Sequence, residues 1–190
     1  ECELGEYQTR PYFEGKFLKT ITHIPAGRAL NMLIRMFTEI SPPHMNSDQV
    51  WSYIQNEVEK KRVTDLEVSV AYYGGPLGST GYIANMHEAN MTLGDVFSAA
   101  FRGMAQNYHD FASRLSPNRD WDGIVFSGGL VSKMPVLQRL ILDKFDNVSF
   151  RMNELKEDTL TGLLLLAMKV RQPDEELSEL SKRLQTGYNN

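Results

Sequence analysis

Residues able to do chemistry concentrate at one junction. A short apolar run, Ile124-Val125-Phe126, ends at Ser127-Gly128-Gly129. The run is bounded by turn-formers and reads as a buried strand. Pro135 can open a helix, because its missing N–H would be unpaired in a first turn. From there Leu137, Leu140, Ile141 and Phe145 fall at helical spacing. The unit is strand, Gly-Gly turn, helix. Two adjacent glycines admit unusual φ values and let a ligand approach the main chain. Amides at a helix start carry partial positive charge, so the unit suits a phosphate-bearing ligand. Gly-Gly also serves as an ordinary tight strand-to-helix connection, and the motif alone leaves both readings open.

Other chemistry-bearing residues are less organised. His23, His44, His87 and His109 show no metal-ligand spacing. Asp120 and Asp122 flank Trp121 at a loop-to-strand junction, where acids are common. His87-Glu88 has no nucleophile nearby, and no Gly-x-Ser-x-Gly elbow exists. Residues 74–81 hold four glycines but lack the Gly-Lys-Ser/Thr of a P-loop, and they read as a structural loop. No catalytic residue and no metal ligand is assigned.

The elements that must position the junction follow from periodicity. Residues 6–22 read as a β-hairpin turning at Glu14-Gly15. Leu30, Leu33, Ile34, Phe37 and Ile40 form one helix face, ended by Ser41-Pro42-Pro43. Ser47 is a good N-cap for a helix bearing Val50, Trp51, Ile54 and Val58, which closes at Lys60-Lys61-Arg62. Leu66 to Tyr73 reads as a strand, and Tyr82 to Met86 as a short one. Thr92 and Asp95 form a capping box for a helix of about six turns ending before Ser116-Pro117. Val148 to Met152 reads as a strand. The run Leu163-Leu164-Leu165-Leu166 implies a helix buried on several sides, preceded by Glu157 and Asp158. An exposed helix over 175–185 closes the order, which suits an α/β layered domain.

Composition bounds the function. The 190 residues allow one sizeable core. Net charge is −4, with no basic footprint for nucleic acid. No apolar run reaches the roughly 20 residues of a membrane span. The single cysteine, Cys2, excludes an internal disulfide and leads to a cytoplasmic expectation. The first residue is Glu1, so a piece of a longer protein is expected.

The wider junction resembles the adenosine motif of FGGY-family carbohydrate kinases, in the actin/hexokinase/Hsp70 superfamily. The matching residues are Gly128-Gly129-Leu130, Ser132-Lys133, Gln138 and Asp143, followed by the helix from Glu157 to Ala167. Arg10-Pro11-Tyr12-Phe13 resembles a segment of the sedoheptulokinase-like branch. Leu130 stands where the family has a third glycine, and Gly75-Pro76-Leu77 lacks an arginine found in the family's loop.

The resemblance implies an actin-like ATPase (ribonuclease H-like) domain over 1–171, a mixed sheet flanked by helices, with a polar helix and tail over 172–190. It implies the nucleotide-binding half of an ATP-dependent kinase acting on a ketose or polyol, with Mg²⁺ as cofactor. The sugar site and catalytic base would lie in a missing N-terminal domain, leaving this piece inactive alone. Gly128, Gly129 and Leu130 would lie near the ribose or phosphates, and Ser132, Lys133 and Gln138 would flank the adenine. No nucleic-acid or membrane partner is implied, and a homodimer is compatible. The rival is a non-catalytic kinase-like domain that binds nucleotide or a protein. A Rossmann reading needs Gly-x-Gly-x-x-Gly and a later acid, and both are missing.

Overall fold

Helix α3, Leu93–Leu115, is the longest element, and three others pack against it. Its start is set by Thr92, whose hydroxyl accepts from the Asp95 amide at 3.1 Å. That satisfies one of the amides a helix start leaves unpaired. The Thr92 hydroxyl also donates to the Asp95 carboxylate. Gly94 to Phe101 are buried around the whole circumference.

The structure is a computed structural model that describes residues 7–39, 47–60, 64–146, 148–153 and 158–188. The chain is mixed α/β. Among the described residues, seven α-helices accompany six short strands. Cys2, Ile40, Ser41-Pro42-Pro43, Lys61-Arg62 and Glu157 lie outside the described residues.

Strands β1 (Gln8–Pro11) and β2 (Phe17–Thr20) pair antiparallel, with Gln8 opposite Thr20. Glu14 (φ 57°) and Gly15 (φ 71°) turn the hairpin where expected. Helix α1 (Gly27–Thr38) buries Ala29, Leu30 and Leu33. Helix α2 (Ser47–Glu59) buries Ile54 and Val58. Strands β3 (Glu67–Ser69) and β4 (Tyr82–Ala84) form a second antiparallel pair. The expected strand over 66–73 is regular only through β3, though Leu66, Val68, Val70 and Ala71 are buried.

β3 lies close on α3, because Gly103 leaves the helix without a side chain there. A Cβ on Gly103 would sit 3.1 Å from the Val68 carbonyl oxygen. Arg102 fixes the same edge by donating to the Thr64 carbonyl at 3.1 Å. The glycine-rich loop after β3 is held by contact too. A Cβ on Gly81 would fall 2.3 Å from the Tyr72 ring, and one on Gly75 would fall 2.6 Å from the His23 carbonyl. Close packing therefore accounts for these two glycines without a ligand.

Strands β5 (Gly123–Phe126) and β6 (Ser149–Met152) are parallel, with Gly123 opposite Ser149 and Phe126 opposite Met152. Between them run α4 (Gly129–Lys133) and α5 (Pro135–Leu142), with Pro135 in the first turn of α5. The core joins α1, α2, β3, α3, β5 and α5, with Leu30, Phe97, Phe101, Met104 and Leu137 fully enclosed.

Two features differ from expectation. The strands pair two by two among the described residues, where one mixed sheet was expected. β1 reads Gln-Thr-Arg-Pro and is exposed throughout, so it offers no apolar face to a further sheet. The second difference is α6 (Asp158–Arg171), whose leucine run is exposed rather than buried. Its principal packing is against α7 (Leu177–Tyr188), which buries Leu180 and Leu184. One neighbour covers only one side of a helix. Among the described residues no helix is long and apolar enough to cross a membrane.

Candidate functional site at the Gly128–Gly129 turn

The turn is built by three local constraints. β5 ends at Phe126, whose carbonyl accepts from the Asn153 amide at 2.8 Å, tying the strand end to β6. Gly128 takes φ 93°, ψ 158°, a region that a side chain makes costly. Ser132 then closes the turn, its hydroxyl lying 3.0 Å from the Gly128 carbonyl and 3.2 Å from the Gly129 carbonyl.

Gly128 and Gly129 are exposed, and a Cβ on either would meet nothing within 4 Å. A ligand can therefore lie directly on this backbone. The helix expected from Pro135 is present, but a short helix precedes it. The glycines lead into the five-residue α4, and the regular helix starts one residue later, after Met134. A single turn carries little macrodipole, so open backbone rather than a long helix is what the site offers.

The six expected residues divide into two groups. Gly128, Gly129 and Ser132 form the turn itself. Leu130 points away from it, half-buried, into the start of α1. A Cβ on Gly27 would be 3.7 Å from the Leu130 Cβ. Gln138 is bound to its own chain, donating to the Val131 carbonyl at 2.7 Å. Lys133 is exposed and borders a groove of about 460 Å³ against α2, whose wall includes Asp48 and Trp51. Asp143 caps the end of α5, its amide 2.9 Å from the Arg139 carbonyl.

Beside the turn lies a cavity of about 340 Å³, lined by Tyr108, Trp121, Ile124, Phe126, Ser127 and Val131 among others. Ser127 and Val131 flank the two glycines, so cavity and turn are contiguous. Trp121 is held edge-on against Phe145, with ring centroids 5.2 Å apart, and His109 packs against both. Burial pushes the Tyr108 phenol above its usual value, and the nearby Tyr73 adds to the shift. Tyr73 in turn carries the Arg28 guanidinium 4.5 Å over its ring.

The sequence reading did not select Tyr108, Trp121 or Arg28. Trp121 had a visible signal, an aromatic two residues before the strand. Tyr108 had none, because an aromatic on a long apolar helix face looks like core.

The remaining chemistry-bearing residues have local roles. The His87 amide donates to the Asn90 side-chain oxygen at 2.9 Å across a short 3-10 turn, and the His87 ring meets the Asp65 carboxylate at 3.0 Å. Buried Asn90 also donates to Asp65, at 2.9 Å. Hydrogen bonds from Asn90 and then His87 hold the Asp65 carboxyl below its usual range. Asp120 pairs with the Ser116 hydroxyl, which lowers its pKa. The Asp122 carbonyl accepts from Ser149 at 3.0 Å. Among the described residues no three His, Cys, Asp or Glu side chains gather as a metal cage.

No protein-family model matches the chain, and no curated protein matches it either.

Proposed function

We propose that the Gly128–Gly129 turn is the nucleotide-binding wall of an ATP-dependent carbohydrate kinase of the FGGY type, in an actin-like domain. The observation that carries this reading is the open backbone. Two consecutive glycines after a parallel strand leave open the space that a Cβ would fill, one of them at φ 93°. Phosphate or ribose oxygens can approach amides there that a side chain would screen. The adjoining cavity supplies what a base needs, apolar walls with the Tyr108 and Trp121 rings.

On this reading Ser132 shapes the turn rather than touching the base, since its hydroxyl is committed to two carbonyls. Gln138 keeps its amide oxygen for a ligand, and Lys133 offers a cation at the end of α4. Bound MgATP supplies the phosphoryl group. The sugar and the base that deprotonates its hydroxyl belong to a second domain of the parent protein.

A second reading is favoured by Leu130 and Gln138. Both are turned to structural use, as expected of a kinase-like domain that binds nucleotide or a partner without turnover.

Titration of the chain with MgATP, followed by amide chemical shifts, tests the assignment. Saturable shifts are expected over 127–133 and on the Trp121 indole. Gly129→Val is the informative variant. Its backbone is not in the left-handed region and its Cβ space is empty, so the fold should be unchanged while the shifts disappear. Binding indifferent to Gly129→Val, or shifts confined to another face, would remove the site.

A further inference from the structure

Helix α6 shows solvent an unbroken aliphatic stripe. Leu160, Leu163, Leu164, Leu166 and Val170 are 44% to 75% exposed, and Ala167 lies among them. At about 100° per residue these six fall within one arc of roughly 160°. Leu165 and Met168 lie outside that arc and are half-buried. Only Thr159 and Arg171, at the ends, bring polar groups to the stripe. Leu160, Leu163, Ala167 and Val170 repeat at spacings of three, four and three, the pattern of a helix-to-helix seam.

We propose that this stripe is a dimer seam, on which α6 of a second copy of the chain packs antiparallel. Three observations select a second copy. The first is self-complementarity. With the two helices crossing at Leu165, Leu163 of each copy faces Ala167 of the other, and Leu160 faces Val170. Leu163 then meets the small Ala167, and every contact occurs twice, as a two-fold axis requires. The second is charge. Antiparallel helices oppose their dipoles. No acid or base lies in the middle of the stripe to be left unpaired. The third is area. Five aliphatic side chains at these exposures leave roughly 500 Å² bare per copy, within the range of the largest patch on a typical monomer, which is often functional. Two such patches bury at most about 1,000 Å², the lower bound for a specific interface. The seam thus fits a reversible dimer rather than a permanent one. The resulting unit is a bundle of four helices, α6 and α7 from each copy.

Sedimentation equilibrium across a concentration series reaching high micromolar tests the proposal. A reversible monomer–dimer equilibrium is expected. Leu163→Glu should weaken it at least about tenfold, with circular dichroism unchanged and the melting temperature unchanged at concentrations where both proteins are monomeric. A chain that stays monomeric throughout, or a dimer indifferent to Leu163→Glu, overturns the proposal. So does a monomer that melts lower with Leu163→Glu, since the stripe would then be covered within its own chain, for instance by the exposed Val125 and Phe150 of β5 and β6. Orientation is tested in a Cys2→Ser background. Mixed Leu163→Cys and Ala167→Cys copies should form disulfide-linked heterodimers. Ala167→Cys linking efficiently to itself would instead mean a parallel seam and overturn the antiparallel one.

Discussion

Helices α3 and α6 differ less in sequence than in surroundings. The first turns of α3 carry Val96, Phe97, Ala99, Ala100 and Phe101, all at most 5% exposed. The four consecutive leucines of α6 are more apolar, yet Leu163 is 59% exposed. Apolar content creates a demand for burial, and neighbours meet it. α3 has α2, α5 and β3 around it, whereas α6 packs chiefly against α7. Burial on several sides therefore cannot be read from a leucine run alone.

The largest test of that contrast is a pair of truncations. Phe101→Ala should cost about 3–5 kcal/mol, because a fully enclosed ring leaves a cavity. Leu163→Ala in the monomer should stay within about 0.5 kcal/mol, as for an exposed side chain. Denaturant titration of both at low protein concentration measures the difference. Similar losses would mean that α6 is covered after all.

A second contrast is between glycines. Gly81→Ala drives a Cβ to 2.3 Å from the Tyr72 ring and 2.6 Å from the Ser69 carbonyl. Repacking there should cost about 1–3 kcal/mol. Gly129→Val, which meets nothing, should leave stability unchanged while removing nucleotide-induced shifts. If both variants destabilise alike, the turn is packed rather than open.

The smallest effect concerns the loop before α3. Asp65 is held below the ordinary carboxylate range by Asn90 and His87. A depressed folded pKa contributes stability above the unfolded value, and that contribution is lost as pH falls through the folded value. The window is therefore below about pH 4. Asp65 is fully exposed to solvent, so the effect is small. Asp65→Asn should flatten the acid limb of the melting curve slightly, and an unchanged limb would show that the pairing adds nothing.

Much of the order of elements was legible. The Glu14-Gly15 hairpin, the Thr92 cap, the start of α5 at Pro135 and the strand before Gly128 each rest on local chemistry. Each needs only residues within a few positions. Less was legible of the site. Gly128 and Gly129 stood out because a glycine pair is a local signal. Leu130 and Gln138 did not declare that one would pack on Gly27 and the other bond Val131. The Tyr108–Trp121 wall joins residues 13 apart on a helix and a loop, and periodicity carries no information on that pairing.

The sequence by itself determined the mixed α/β class, the helical phases and the position of the glycine turn, because backbone sterics and capping act over a few residues. Tertiary structure alone decided that the described strands pair two by two, that an aromatic cavity opens beside the turn, and that the leucines of α6 face outward. The reason is physical. Local rules say which face of an element is apolar, but only the packing of distant elements says whether another surface arrives to cover it.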